Sequence, residues 1–196
     1  MKMRKGSEAR KTRETDIRVD LNLDGSGQCK VETGVPFFNH MMELFARHSL
    51  LDLTLVAKGD TEVDYHHTIE DVGLVLGKAV DRALGDRKGV RRYGVSYVTM
   101  DEALCRTVVD LGGRPYLVHR MACKKRRILD FDLSLMGEFL RAFVVQSRMN
   151  IHIDQLRGDE AHHAYEAVFK SLARALRAAC ELDPRERSVP SSKGRI

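Results

Sequence analysis

The sequence of 196 residues has no stretch approaching the roughly 20 consecutive apolar residues that a membrane-spanning helix requires. Residues 1–11 are basic and polar, with no apolar run behind them to act as a secretory signal. Cysteine is sparse. Cys29, Cys105, Cys123 and Cys180 lie far apart and form no C-x-x-C pair, which argues against a thiolate zinc motif or a disulfide framework. Reduced, mostly buried thiols are expected instead. Zinc-finger spacing, an RNP signature and a GXXG loop are also missing, so the net charge of +5 comes with no nucleic-acid motif. Much of that excess sits in the N-terminal tail and in Lys124-Lys125-Arg126-Arg127, a run expected to be a solvated loop. A positive field equally serves an anionic small substrate. These absences leave a soluble, cytoplasmic protein with no nucleic-acid or membrane partner. Its 43% apolar residues suffice for a real core.

What is present is a repeat. His66-His67-Thr68-Ile69-Glu70 matches His162-His163-Ala164-Tyr165-Glu166, and each motif opens an apolar pattern at helical spacing. Val72, Leu76 and Ala79 fall at the same offsets as Val168, Leu172 and Ala175, and Lys78 matches Arg174. Upstream, Thr54 in an apolar strand pairs with His152 in another. Fourteen residues before these lie His40 and Glu138, in segments that pack Phe38, Met41 and Phe45, or Phe139, Ala142 and Phe143. Further back, Ile17, Val19, Leu21 and Leu23 before Asp24-Gly25 resemble Cys105, Thr107, Val109 and Leu111 before Gly112-Gly113, a strand-and-turn signal.

Each half thus reads strand, strand, helix, strand, helix, with room for one more short strand. That order predicts an α+β fold built from two duplicated half-domains, each a sheet with helices on one face, packed helices against helices. The boundaries expected are a basic tail at 1–12, a first half at 13–90, a second half at 91–183 and a C-terminal arm at 184–196. The arm carries Pro184, Pro190 and Ser191-Ser192 and is expected to be extended or flexible.

The doubled motif points to metal. On a helix, residues four apart share a face, so His66 can share an ion with Glu70 and His162 with Glu166. The following residues, His67 and His163, are rotated by about 100° and should serve another ion. Two sites follow, each combining a His/Glu pair from one repeat with a lone histidine of another. His40 and Glu138 are candidate extra ligands. Imidazole with carboxylate suits Mn²⁺, Fe²⁺ or Zn²⁺. A single His-His-x-x-Glu reads as a helix cap or surface pair; two at matching places in a repeat favour ions. His48 follows His40 at one or two helical turns and is a candidate for the same cavity. His152 reads either as a site residue or as a hydrogen-bonded core residue, and His119, without a companion, as a surface residue. A two-metal hydrolase and a metal-storage protein remain competing classes.

From residues 13 to 194 the chain resembles the imidazoleglycerol-phosphate dehydratase family. The resemblance is carried by Arg13-Glu14-Thr15, Leu21-Asn22-Leu23-Asp24-Gly25, Phe37-Phe38-Asn39-His40-Met41, Asp64-Tyr65-His66-His67-Thr68-Ile69-Glu70-Asp71, Arg92-Tyr93-Gly94, Met100-Asp101-Glu102-Ala103, Gly113-Arg114-Pro115-Tyr116, His162-His163 with Glu166, and Pro190-Ser191-Ser192-Lys193-Gly194. It implies dehydration of D-erythro-imidazoleglycerol phosphate to imidazole acetol phosphate in histidine biosynthesis. It also implies two Mn²⁺ per site, half-domains of four strands and two helices, and trimers arranged into a 24-mer with sites between subunits.

Carried over by that resemblance, the metal ligands are His40, His66, His67, Glu70, His162, His163 and Glu166, with Glu138 standing where many members have histidine. Expected substrate contacts are His40, Arg92, Arg114, Lys170, Ser191 and Lys193, of which the arginines, lysines and serine would hold phosphate, with His48 added only by its spacing from His40. Glu14 matches a substrate-binding glutamate and is the leading candidate for the proton transfers; the metal-ligating Glu70 and Glu166 are also counted as catalytic. Glu102 is a weaker candidate. Because the hydrogen removed is not beside a carbonyl, the reaction needs an electron sink, and ions on the imidazole nitrogens would supply it by favouring an imidazolate.

Overall fold

The computed structural model describes residues 3–196. The first half contains β1 (Lys5–Lys11), β2 (Thr15–Asn22), β3 (Cys29–Glu32), α1 (Pro36–Ser49), β4 (Asp52–Gly59) and α2 (His66–Leu84). The second contains β5 (Tyr93–Met100), β6 (Ala103–Asp110), β7 (Tyr116–Arg120), α3 (Leu135–Ser147), β10 (Asn150–Arg157) and α4 (Ala161–Cys180), with a short hairpin of β8 (Arg127–Ile128) and β9 (Phe131–Asp132) inserted before α3. The sheets have strand orders β1-β2-β4-β3 and β5-β6-β10-β7, the same topology twice. In each, three strands run antiparallel and the short fourth strand pairs parallel to the strand that follows its helix. In the first half the added strand is β1, which lies in the stretch 1–12 expected to be a basic tail: Lys5–Lys11 pair antiparallel with β2 as the edge of the first sheet, so that half begins before residue 13.

The alternation that marks the strands also decides which face is covered. Ile17, Val19 and Leu21 of β2 and Ala103, Cys105, Thr107 and Val109 of β6 are buried, while the residues between them are wholly or partly exposed. The buried rows meet helices: α2 lies on β1 and β2, and α4 on β5 and β6. The two helix layers then pack on each other, α2 on α3 and α1 on α4, giving the order sheet, helices, sheet. Phe38, Met41, Phe45, Phe139, Phe143 and Phe169 are almost fully buried in this central layer. Burying each such side chain contributes about 1.5–3 kcal/mol.

The α2–α3 contact depends on small residues. A Cβ added to Gly73 would lie 2.6 Å from the Phe139 carbonyl oxygen, and one on Gly77 would lie 2.5 Å from that of Phe143. Helix boundaries follow local chemistry: Pro36 starts α1, where a missing N–H costs nothing, and α2 ends at Gly85 with positive φ. Between the halves, buried Arg87 donates to the carbonyls of Leu111, Ser147 and Arg148 and pairs with Asp81. It thereby satisfies the C-terminal carbonyls of α3 and fastens the joint to both halves.

Lys124, Lys125, Arg126 and Arg127 are exposed, in keeping with a solvated run. Among the cysteines, Cys105 and Cys180 are buried, Cys123 is half-buried and Cys29 is exposed, so burial holds for part of the set. His119 departs from its sequence reading, and His152 loses the core alternative of its two. His119 is not a surface residue: β7 aligns it with inward-facing Ile153, and its Nε2 is sealed from solvent. His152 is not a core residue: it is exposed on the outer face of β10, beside the ring of Tyr116. The two take opposite faces because strand parity, set by register, decides the face. Among the described residues no helix is long and apolar enough to cross a membrane.

Candidate metal centre

Each His-His-x-x-Glu motif sits in the first turn or two of a helix, and an acidic residue prepares each start. Asp64 Oδ1 accepts the backbone N–H of His66 at 2.7 Å, and Glu160 accepts that of His163 at 2.9 Å. These bonds satisfy N–H groups that a helix leaves free at its first turn.

In α4 the pair closes into a triad. His162 Nε2 lies 3.0 Å from Glu166 Oε1, and His40 Nε2 reaches the same oxygen at 3.0 Å from α1. The three donor atoms lie within 4.8 Å of one another. A six-coordinate ion with bonds near 2.1 Å sets neighbouring donors roughly 3 Å apart, so two imidazoles and one carboxylate here fit a borderline divalent ion without rearranging the helices. Phe37 packs edge-on against His162, giving that ring an apolar wall. Lys170, one turn further on, donates to Glu166 Oε2 at 2.5 Å. Burial opposes ionisation of Glu166, but the hydrogen bonds from Lys170, His40 and His162 and the lysine charge outweigh it and hold the carboxyl at about 2. The carboxyl of the triad is therefore held in its ionised form.

The counterpart in α2 is looser. His66 Nε2 is 3.6 Å from Glu70 Oε2, and both side chains are more than 40% exposed. Glu138 of α3 is close enough for its carboxyl to feel His66, yet its hydrogen bonds run to Arg141 at 2.8 and 3.3 Å. The Arg141 hydrogen bond, opposed by burial, lowers the Glu138 carboxyl below the ordinary range.

The second histidine of each motif turns away, as a rotation of about 100° demands. The rings of His66 and His67 stand at 86°, those of His162 and His163 at 88°. His67 Nδ1 lies 3.0 Å from Asp60 Oδ2, and His163 Nδ1 lies 2.8 Å from Glu102 Oε2. Those hydrogen bonds raise both imidazoles above their ordinary value. Glu14, in the exposed turn between β1 and β2, adds its charge near His67, and its carbonyl accepts the Asp60 N–H at 3.1 Å. His48, at the end of α1, is lowered by burial and by the cations Lys170, Arg174 and Arg47.

Four basic or polar residues gather elsewhere. Arg92 donates to Asp110 at 2.7 Å and to the Pro190 carbonyl at 2.8 Å, tying the C-terminal arm to the second sheet. Ser191 and Lys193 follow in that arm, which runs back until Ile196 lies against Gly113, next to exposed Arg114. Backbone bonds from Arg91 to Glu181 and from Arg92 to Ala179 fix this cluster at the C-terminal end of α4. The triad lies at the N-terminal end, roughly 20 Å away at 1.5 Å per residue. Lys170 alone of the expected phosphate cations stands beside the triad.

Sequence reading missed Asp60, Arg141 and Asp110. Arg141 had a signal, its i, i+3 spacing from Glu138. Asp60 and Asp110 had none, because their partners are set by chain crossing rather than by local spacing.

Comparison with known proteins gives a consistent result. Residues 33–176 match the family model described as imidazoleglycerol-phosphate dehydratase. The imidazoleglycerol-phosphate dehydratase of Burkholderia lata is 55% identical over 195 residues, covering 99% of this chain and all of the relative. That of Thioalkalivibrio sulfidiphilus is 52% identical over 189 residues, or 96% of each chain. Among solved structures, the Staphylococcus aureus dehydratase superposes with a TM-score of 0.83 at 38% identity, over 91% of this chain and 99% of that one. The Pyrococcus furiosus protein, solved in complex with (S)-C348, gives 0.82 at 34% identity over 96% and 99%.

Proposed function

The chain belongs to the imidazoleglycerol-phosphate dehydratase family, hydro-lyases of histidine biosynthesis, and from that premise we propose that it converts D-erythro-imidazoleglycerol phosphate to imidazole acetol phosphate with two Mn²⁺ per site. The observation that carries the reading is the convergence of His40 Nε2 and His162 Nε2 on Glu166 Oε1. One ion would be held by that triad and a lone His67; the other by His66, Glu70, Glu138 and a lone His163. When bound, the ions would supply Lewis-acid stabilisation of negative charge developing on the substrate's imidazole ring.

The chain's own residues have three tasks. Arg92, Arg114, Ser191, Lys193 and Lys170 supply the donors and positive charge that hold a phosphate dianion. Glu166, facing Lys170, His40 and His162, is suited to the role of an anionic ligand. Glu14 exchanges protons. Loss of water takes a hydroxyl from the ring-bearing carbon and a proton from its neighbour, and the resulting enol becomes a ketone when a proton is returned to the ring-bearing carbon. An exposed carboxylate in a turn suits that traffic.

The phosphate cluster at one end of α4 and the metal triad at the other are too far apart for a small substrate to span. That separation supports a complete site built from residues of more than one chain, in line with the expected self-association into trimers and a 24-mer. Mixing Glu166→Ala and Lys193→Ala chains is expected to restore a part of the activity that neither has alone; no recovery in mixed assemblies would argue for sites within one chain.

The direct test is to incubate manganese-loaded protein with the substrate and look for the acetol product. Absence of product with both ions bound overturns the reading. Glu14→Gln is expected to retain both ions and substrate while losing most turnover, and normal turnover would remove Glu14 from the mechanism.

A further inference from the structure

We propose that Asp60 and Glu102 are positioning residues that fix the lone histidines of the two motifs, His67 and His163, as Nε2 metal ligands. The inference rests on the two-metal reading and goes beyond it, because neither carboxylate is among the ligands.

The argument starts from which nitrogen each carboxylate touches. A carboxylate only accepts, so the imidazole nitrogen facing it must carry the proton. In His67 that nitrogen is Nδ1, 3.0 Å from Asp60 Oδ2, and in His163 it is again Nδ1, 2.8 Å from Glu102 Oε2. The tautomer set in this way leaves the lone pair on Nε2, the ring's outer edge. A histidine that donates its other N–H to a carboxylate is held in orientation and made a stronger ligand.

The two carboxylates reach this arrangement from different places. Asp60 follows β4, whereas Glu102 lies in the turn between β5 and β6. In the duplicated topology these are not matching positions: the counterpart of the Glu102 turn is the β1–β2 turn that carries Glu14. A contact inherited only as part of the fold would reuse one position in both halves. Two different positions converging on the same atom of equivalent histidines point to a shared requirement at that atom. Asp60 is moreover poorly placed for anything else. Its Oδ1 is sealed from solvent and has no partner among the described residues, so its carboxylate is committed to His67 through Oδ2.

The test uses the assembled protein and Mn²⁺ alone, with free Mn²⁺ followed by electron paramagnetic resonance during titration. Asp60→Ala and Glu102→Ala are each expected to weaken one of two classes of bound ion by about 10–100-fold, leaving the other class unchanged. Asp60→Asn and Glu102→Gln keep an amide oxygen that accepts from Nδ1–H and should recover most of the affinity. Glu102 lies in an exposed turn, so its variants supply a folded test even where Asp60→Ala does not fold. Unchanged Mn²⁺ affinity in Glu102→Ala, or glutamine binding no better than alanine, overturns the inference. Failure of the unaltered protein to bind Mn²⁺ would instead overturn the two-metal reading itself.

Discussion

In α4, His162 and Glu166 meet His40 across the α1–α4 contact; in α2, His66 lies beside Glu70, while Glu138 of α3 only feels the His66 charge and pairs with Arg141. The first arrangement closes around one carboxylate, with Lys170 balancing its charge. The second has two carboxylates, and its balancing cation, Arg141, comes from the opposite helix and holds Glu138. The helix contacts differ as well. Gly73 and Gly77 admit the backbone of α3 closely, while the matching positions of α4 carry Phe169 and Ala173, both fully buried. The two halves thus share the His/Glu offsets along each helix and differ in the neighbours that face them. Spacing within a helix is fixed by 3.6 residues per turn, whereas packing across helices changes with one substitution.

The sharpest way to break this comparison is to remove the shared carboxylate from each motif. Glu166→Ala is expected to abolish one ion and cut turnover by more than ~100-fold, since even supporting residues around a metal contribute about 10–100-fold. Glu70→Ala is expected to lose the other ion. Metal analysis of the two variants decides this, and an unchanged ion count in Glu166→Ala would remove the triad as a site.

Next in size is the packing difference. Gly73→Ala puts a Cβ against the Phe139 carbonyl and is expected to destabilise by about 1–3 kcal/mol through overpacking. Ala173→Gly, at the position matching Gly77, lacks that clash and should cost only about 1 kcal/mol, the helix propensity of glycine. Urea denaturation of both would sharpen the contrast, and equal losses would dissolve it.

A smaller effect separates Glu138 from its salt bridge. Glu138→Ala should weaken Mn²⁺ at the α2 motif, and Arg141→Ala should strengthen it several-fold by freeing the carboxylate. Unchanged stoichiometry and affinity in both would make Glu138 structural. The smallest is pH dependence from His119, beneath the start of α3. Burial first, and then the Arg141 charge, lower this imidazole to about 4. The neutral ring is therefore favoured in the fold, and its stability contribution is present above the unfolded value near 6.5 and lost as pH falls through about 4. His119→Phe should reduce the loss of stability between pH 7 and 4 by ~1–3 kcal/mol. Thermal melts at both pH values check it.

Much of the architecture was legible because both of its periods are local. Ile17, Val19 and Leu21 announced a half-buried strand, and Val72, Leu76 and Ala79 a buried helix face, at matching places in each half. Two histidines show where that ends. His119 and His152 lie on adjacent strands of similar composition, and only the parallel register between β7 and β10 assigns one to each face. Asp60, Asp110 and Arg87 were equally opaque, since each acts through partners chosen by the path of the chain rather than by spacing.

The doubled His-His-x-x-Glu was settled by sequence alone: four residues of helix place His162 beside Glu166 and His66 near Glu70 wherever the helices lie. Which residue completes each pair was decided only by tertiary structure. His40 reaches Glu166 from 126 positions away because α1 packs on α4. The C-terminal arm carries Ser191 and Lys193 to the far end of α4 because Arg92 holds Pro190 there. A helix fixes its own side chains through a backbone period, but a meeting of two helices depends on the whole core that presses them together.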